Sequence, residues 1–480
     1  MRRKIFWLVI FLVLGSFVLA AQNSSSAPGT IAPATPTAPQ QTGAAQQTAP
    51  APPVVPATPP PQKLPTSGAL QRLTVQDAEA LALKSNPQIS VYRLLALASQ
   101  QVTREQKSAY YPNVYGSLTA VKPRDDGSRI AAGNLNNPIV YERAAGGVTL
   151  SQLITDFGRT NNLVATAALR AKAADQNSIA TADQIKLAVD EAFYSALQTV
   201  ALLRVAEETV KARQLVSDQI TTLFINKLRS QLDVSFANAN LAQAQLLLLD
   251  AQNNQQAALS ALSQILGYAS QQAFELVDSE KEITPPPDAV AQLVDQAFSN
   301  RPEIAAQNYE YQAAQHFQKA ERDELFPSIS ALGVVGRTPY SNSIAGISPF
   351  PSWYGAVGVN VNIPIFNGFL YPARSREAGL RAQAGEEQLR DLKDRIANDV
   401  RTSWLSAINA YNRISVTQQF VDQTNQAVDL SQTRYNLGLS SIVELSQAEL
   451  QQTEAQIQFA AAKYQYRIAQ SILRFQIAAP

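Results

Sequence analysis

The sequence predicts a mainly helical fold with a smaller transmembrane β portion, built from one unit that occurs twice. Two helical patterns of about 65 residues end near Asn226 and Asn436, and at ~1.5 Å per residue each helix would span roughly 100 Å. Four short segments alternate apolar and polar residues, which indicates β-strands. The same order of helices, breaks and strands runs through both halves of the chain, which indicates a duplication.

Composition excludes several function classes. Charged residues make up 16% of the chain and the formal net charge is +1, which argues against a nucleic-acid surface. The chain has no Cys and a single His, so a Cys–His metal site, a thiol nucleophile and a Ser-His-Asp triad lack their residues. We therefore expect neither an enzyme nor a cofactor.

The N-terminal region has the pattern of an exported protein. Residues 1–21 begin with Arg2-Arg3-Lys4, continue with an apolar run and end in small residues, as a signal peptide does. An uncleaved anchor helix is the alternative, but the run is short for one. Residues 22–66 are rich in Pro, Ala, Thr and Gln, which predicts a disordered linker.

Two repeats follow, residues 67–270 and 284–480, and each has the same breaks. Asn86-Pro87 and Arg301-Pro302 separate a short helix from a longer one, since the residue before proline disfavours the helical conformation. Tyr110-Tyr111-Pro112 and Leu325-Phe326-Pro327 then precede strand segments. Within each long helix an apolar stripe predicts core packing; its members are Ile185, Val189, Phe193, Leu197 and Val200 in the first helix, and Ile396, Val400, Trp404, Ile408 and Tyr411 in the second.

The four predicted strands approach the ~9–11 residues that cross a bilayer when tilted. The clearest alternation places Val357, Val359, Val361, Ile363 and Ile365 on one face, and Gly358, Asn360 and Asn362 on the other. Four strands cannot close a barrel, and lipid does not tolerate open sheet edges. Several chains must therefore share the barrel: two would give eight strands and a filled interior, and three would give twelve strands and a lumen.

A tight helix hairpin closes each repeat. In the second repeat, Gly438 can reverse the chain, and Ser440 or Ser441 can cap the next helix. Glu444 then lies in that helix's first turn, where a carboxylate suits the helix dipole. Asp233 occupies the matching position of the first hairpin. An acid at the same position of two hairpins indicates more than helix capping.

The chain resembles the TolC-like outer-membrane efflux protein family over residues 70–478. The resemblance lies in the order and duplication of the motifs. They are Asn86-Pro87 and Arg301-Pro302, the aromatic-Pro pairs before the strands, Ile363-Pro364-Ile365-Phe366-Asn367-Gly368 before the second long helix, and Gly438-Leu439-Ser440-Ser441 with Glu444.

The resemblance implies a homotrimer whose 12-stranded β-barrel crosses the outer membrane and continues into a 12-helix barrel in the periplasm. Such a protein is the exit duct of a tripartite efflux or type I secretion system. Its implied partners are a periplasmic adaptor, an inner-membrane transporter and outer-membrane lipid. The alternative function is a periplasmic coiled-coil adaptor or scaffold without a channel, which would lack membrane-length strands.

The resemblance also implies which residues act at the hairpins. The expected pore constriction and gate contain Glu444, Asp233, Tyr435, Gln447 and Arg229. The expected adaptor-docking tips contain Leu228, Ser230, Gly438, Leu439 and Ser441. Some positions depart from the family pattern: Lys227 stands at the position of Gly438, and Arg229 at the position of Ser440. An Arg229–Asp233 ion pair, at i and i+4, is expected to replace part of the usual gate contacts.

Overall fold

The computed structural model describes residues 71–122, 143–278, 283–341 and 353–479. The predicted signal peptide and linker lie outside these residues. The helices are α1 Val75–Ser85, α2 Pro87–Lys107, α3 Arg159–Ile225, α4 Gln231–Ile265, α5 Val290–Asn300, α6 Pro302–Asp323, α7 Leu370–Asn436 and α8 Ile442–Gln476. The strands are β1 Gln71–Leu73, β2 Asn113–Val121, β3 Arg143–Thr155, β4 Phe274–Leu276, β5 Ser328–Ser341 and β6 Trp353–Asn362.

The four long strands form one antiparallel sheet in the order β2-β3-β5-β6, so all four predicted strands are present. One prediction was wrong: β6 ends at Asn362, and Ile363 and Ile365 lie beyond it. Pro364 has no N–H for the ladder, so the alternation in the sequence continues further than the pairing does.

The two faces of this sheet differ in polarity. The pairing register places Leu118, Val148, Val335 and Val357 on one face, where Leu118 is 93% and Val357 92% exposed. We call this apolar side the outer sheet face. The opposite face is the more polar one: it carries Ser117, Thr119, Thr149, Gly358 and Asn360, together with the larger side chains of Tyr115, Leu332, Val334 and Tyr354. An apolar face this exposed is suited to lipid rather than water.

Each long strand continues into a helix, and the helices pack in the same order as the strands. The two long helices, α3 and α7, each have 67 residues and span about 100 Å. The stacked pair α2 and α4 packs on one side of α3, and the pair α6 and α8 packs on its other side and also on α7. The helical part of the protomer is therefore a wall of four strips that lie side by side: α2 with α4, then α3, then α6 with α8, then α7.

The shorter helices stack end to end in both repeats. Asn86 caps α2 and its Nδ2 donates to the carbonyl oxygen of Ile265 at the end of α4, at 3.0 Å. In the second repeat, Arg301 precedes α6 and its Nη1 donates to Gln476 Oε1 at the end of α8, at 2.7 Å. Different side chains thus make the same joint in the two repeats.

Three buried clusters hold the strips together. Around the first joint, the stripe residues Ile185, Val189, Phe193 and Leu197 pack beneath α1. In the second cluster, Ile396 and Val400 of α7 pack beneath α5. These six stripe residues are core packing, as predicted, and Trp404 packs against the second cluster, whereas Val200, Ile408 and Tyr411 belong to neither cluster and are only partly buried. The parallel pairing of β1 with β4 was not predicted, because three residues are too few to show a period. The third cluster lies at the hairpins.

Candidate functional site

Both hairpins reverse the chain with the same backbone geometry. Lys227 has φ 61° and Gly438 has φ 77°, and each is followed by a hydrogen bond back into the preceding helix. Leu228 N donates to Leu223 O at 2.9 Å, and Leu439 N donates to Arg434 O at 2.8 Å. This is the Schellman helix ending. Lys227 therefore adopts a left-handed backbone conformation. This conformation costs a residue with a side chain about 1–2 kcal/mol, whereas Gly438 adopts it without that steric penalty.

The two acids at the hairpins have different hydrogen bonds. Asp233 Oδ2 accepts from Ser230 N at 2.9 Å and from Ser230 Oγ at 2.8 Å, and Ser230 Oγ in turn accepts from Asp233 N. These reciprocal hydrogen bonds form a capping box, and the Asp233 carboxylate is already hydrogen-bonded within it. Glu444 donates only its backbone N–H to Ser441, and its carboxylate lies 3.7 Å from Arg434 with 44% of the side chain exposed. The Glu444 carboxylate is thus the more accessible of the two.

Arg229 joins the first hairpin to the second. Its Nη2 donates to the carbonyl oxygen of Tyr435 at 2.7 Å, and the guanidinium lies 4.0 Å from the centroid of the Tyr435 ring. We call this contact the tip bridge. The expected Arg229–Asp233 ion pair was wrong, because Ser230 occupies the carboxylate and the Arg229 side chain turns to the other hairpin.

Tyr435 is part of the third buried cluster and is 3% exposed. It packs with residues of both hairpins, which are Ile220, Val234, Ala237, Ile442 and Leu445. Burial raises the pKa of the Tyr435 phenol, although the Arg229 charge opposes the shift. The tip bridge therefore adds a charge-assisted hydrogen bond and a cation–π contact to an apolar junction.

The remaining predicted residues lie on the surface of the hairpins. Leu228 and Leu439 are each 68% exposed. Ser230, Ser441, Gly438 and Gln447 are also exposed. Among the hydrogen bonds and ion pairs of the described residues, none joins Asp233 to Glu444. The structure thus brings Arg229 and Tyr435 together, holds the half-buried Asp233 in its capping box, and presents the other predicted residues to solvent.

A buried ion pair above the hairpins was not predicted. Arg213 Nη1 lies 2.6 Å from Glu449 Oε2, with the side chains 9% and 5% exposed. Arg213 Nη2 also donates to the Glu449 carbonyl oxygen at 2.8 Å. Burial lowers the pKa of Arg213 and raises the pKa of Glu449. The pair fixes α3 to α8, and a cavity of about 540 Å³ lies beside it.

Two carboxyl groups face each other where α1 meets α3. Glu79 and Asp190 line a cavity of about 260 Å³ together with Lys186 and Arg474. Burial and the nearby Asp190 carboxylate raise the pKa of Glu79 to about 7, against the attraction of Lys186 and Arg474. Burial and Asp190 also raise the pKa of Glu191. Near neutral pH the Glu79 carboxyl therefore exchanges between its protonated and its ionised form.

We expect the protein to lose stability as the pH rises from about 4.5 to 7. The folded-state pKa of Glu79 lies above the value of about 4.3 in an unfolded chain, so the folded state binds the extra proton in that range. Glu79→Gln should therefore raise the free energy of unfolding above pH 7 by about 1 kcal/mol, after allowance for solvent screening. Thermal denaturation at pH 5 and pH 8 measures the effect. Equal gains at both pH values would contradict it.

Two kinds of feature are missing from the described residues. No helix in the described ranges combines the length and apolarity that crossing a bilayer requires. Nor does that part of the chain hold three or more His, Cys, Asp or Glu side chains grouped so as to bind a metal ion.

Comparison with known proteins gives a consistent result. The family model described as outer membrane efflux protein matches residues 80–268 and 293–478. The alkaline protease secretion protein AprF of Pseudomonas aeruginosa is 23% identical over 411 residues, which cover 84% of each chain. The outer membrane protein TolC of Escherichia coli is 25% identical over 404 residues, covering 80% of this chain and 78% of TolC.

Solved structures share the fold. The outer membrane protein VceC of Vibrio cholerae has a TM-score of 0.71 at 18% identity, covering 84% of this chain and 95% of VceC. CusC, solved in a study of folding and transmembrane channel formation, has a TM-score of 0.73 at 19% identity, covering 84% of this chain and 91% of CusC. The predicted fold class is therefore confirmed.

Proposed function

Because the chain belongs to the outer membrane efflux protein family, it is an outer-membrane exit duct with a helical portion in the periplasm, and we propose that three copies close the duct. The family is one of channel proteins and not of enzymes. The predicted family, location and exit-duct function are thereby confirmed, and they disfavour the alternative of a periplasmic adaptor without a channel.

The observation that carries the trimer proposal is the pair of open edges on the protomer wall. In the sheet, β2 and β6 each pair on one side only among the described strands. In the helical part, the stacked α2 and α4 form one edge strip and α7 forms the other. Both edges expose large apolar side chains, among them Leu94, Leu246, Leu249, Leu405 and Leu430. A single rotation about the axis of the assembly can therefore join both the sheet and the helical part of one copy to those of the next copy.

The number of copies follows from the strands. Two copies would give eight strands and an interior filled by side chains, whereas three give twelve strands and leave a lumen. The outer sheet face would then meet lipid, and the polar face with Gly358 and Asn360 would line the lumen. Closure in this way leaves no sheet edge exposed to lipid.

Electron-microscope imaging of the detergent-purified protein tests the proposal. We expect hollow cylinders with threefold symmetry that are longer than roughly 100 Å, the length of one long helix. Compact or elongated monomers without a lumen would contradict the proposal and restore the adaptor or scaffold alternative.

We further propose that the hairpin tips dock with a periplasmic adaptor that connects the duct to an inner-membrane transporter. Leu228 and Leu439 support this proposal, because each stands highly exposed at a turn that ends a helix pair. Exposed leucines repeated at equivalent positions around a trimer would offer six apolar contacts to a partner.

Replacing Leu439 with aspartate should reduce efflux by at least tenfold without affecting assembly. A carboxylate at the apolar contact would be desolvated without a partner, and that cost falls on docking alone. The measurement is drug susceptibility of cells that depend on this duct, with trimer abundance in outer membranes measured in parallel. Leu439→Met keeps the apolar surface and should retain efflux. Full efflux by Leu439→Asp would argue against docking at this position.

For the gate, we propose that three copies of Glu444 form a ring of negative charge at the constriction, with Asp233 contributing less. The exposed Glu444 carboxylate supports this proposal, whereas Asp233 is held in its capping box. Gln447 lies three residues further along the exposed surface of α8. A ring of carboxylates raises the local concentration of cations.

Glu444→Gln should lower the cation-to-anion permeability ratio several-fold, because it removes three charges from the ring while keeping the side-chain shape. Reversal potentials in planar bilayers under a salt gradient give the ratio. Gln447→Glu adds an acid on the same helix and should shift the ratio in the opposite direction. If both variants match the unmodified protein, Glu444 does not line the constriction.

A further inference from the structure

The outer sheet face carries one cation within the described strands. The register places Arg337 on this face, opposite Trp353 on β6 and Gly146 on β3. Its guanidinium lies 5.5 Å from the centroid of the Trp353 ring. Among the ion pairs of the described residues, none includes Arg337. A guanidinium on an apolar, lipid-facing surface is costly unless an anion or water reaches it.

The position of Arg337 along the strand sets its depth in the membrane. It stands nine residues beyond Ser328, where β5 begins, a distance of roughly 30 Å along the strand at ~3.3 Å per residue. With a strand tilt of about 40°, that height approaches the ~25 Å of the apolar band. Because the helices lie in the periplasm, the opposite strand ends face the exterior. Arg337 is thus level with the headgroups of the exterior leaflet.

Beside Arg337 the sheet forms an apolar trough with a volume of about 620 Å³. Its floor is bare backbone at Gly116, whereas the Leu118 side chain lies over Gly146, with its Cδ2 2.8 Å from where a Cβ on Gly146 would stand. A Cβ built on Gly116 meets no atom within 4 Å. The walls are Leu118, Val148, Val335 and Trp353. The trough therefore offers an apolar chain a shallow seat that ends at a cation.

We propose that this trough binds one phosphorylated lipid of the exterior leaflet, with the lipid phosphate on Arg337 and an acyl chain that packs against Leu118 and over Gly116. The proposal rests on the assembly of the sheet into a membrane wall, proposed above. Charge complementarity selects the headgroup, since Arg337 has five N–H donors in a planar fork that suits phosphate oxygens. Trp353 holds the guanidinium near the interface, where its indole also prefers to lie.

Native mass spectrometry of the purified trimer, titrated with lipid A in detergent, tests this site. We expect saturable binding of up to three lipids per trimer, which is one per protomer. Arg337→Gln should weaken binding at least tenfold, because it removes the charge. Gly116→Leu should also weaken it at least tenfold, because the new side chain fills the trough from an open position.

Gly358→Leu is the matched control. A Cβ built on Gly358 likewise meets no atom within 4 Å, but this glycine lies on the polar face of the sheet, so lipid binding should be unchanged. Equal binding by the unmodified protein and Arg337→Gln would overturn the site, as would an effect of Gly358→Leu as large as that of Gly116→Leu. The same spectrum reports the mass of the protein assembly, so a failed trimer is distinguished from a failed lipid site.

Discussion

Arg229→Ala should open the duct at rest, with the ratio of open to closed channels rising about 30-fold per protomer that loses its tip bridge. The substitution removes a charge-assisted hydrogen bond worth about 1.5–3 kcal/mol and a cation–π contact worth about 0.5–2 kcal/mol. A net loss of about 2 kcal/mol corresponds to that ratio. Arg229 makes the polar contact between the first hairpin and Tyr435, beside the apolar packing of the third cluster, so its loss favours hairpin separation.

Single-channel recordings in planar bilayers measure the effect as a larger mean conductance. Arg434→Ala is the matched control, because Arg434 also lies at a hairpin but faces the solvent-exposed Glu444 at 3.7 Å. Such exposed pairs contribute about 0–1 kcal/mol, so the control should leave the ratio of open to closed channels nearly unchanged, even where the conductance of each open channel responds to the lost charge beside Glu444. Arg229→Lys keeps the charge but loses the planar stack and should fall between the two. A closed Arg229→Ala channel would show that the tip bridge does not hold the hairpins together.

Glu449→Ala should be among the most destabilising single substitutions in the helical part, at about 3–5 kcal/mol. It would leave the Arg213 guanidinium buried without its carboxylate partner, and arginine does not release its proton at any ordinary pH. Arg213→Ala should cost less, because the remaining Glu449 can take up a proton, consistent with its raised pKa. The midpoint of thermal denaturation, followed by circular dichroism, ranks the two variants.

The double variant Arg213→Met/Glu449→Leu completes the test. Replacing both partners by apolar residues of similar volume removes the desolvation cost together with the attraction, so stability should return close to that of the unmodified protein. With Arg213→Met and Glu449→Leu as the matching single variants, the coupling free energy of the double-mutant cycle should exceed about 3 kcal/mol, because the double variant recovers a loss of about 3–5 kcal/mol. Additive losses would mean that the two charges act independently despite their 2.6 Å separation.

Local signals in the sequence located most of the helix boundaries. Ser441 caps its helix as its residue type predicted, and Gly438 reverses the chain. These features depend on residues within one helical turn, which a single sequence shows directly. The extent of β6 was less predictable, because alternation continues past Asn362 whereas hydrogen-bonded pairing does not.

Contacts between distant residues were not predictable in the same way. Arg213 and Glu449 are 236 positions apart, and Arg229 and Tyr435 are 206 apart. Each partner taken alone resembles an ordinary helical charge or aromatic residue. The local expectation for Arg229, an i and i+4 pair with Asp233, was wrong because a nearer hydroxyl and backbone N–H already satisfied that carboxylate. Packing between the repeats decides these contacts.

The two unpaired edges of the protomer sheet also affect the chain before it reaches the membrane. A single copy in aqueous solution would expose the backbone donors and acceptors of β2 and β6 beside an apolar face. Such edges are templates for aggregation, and slow, long-range strand pairing prolongs the exposure. Coupling the folding of the sheet to its assembly with other copies would keep these edges from such contacts.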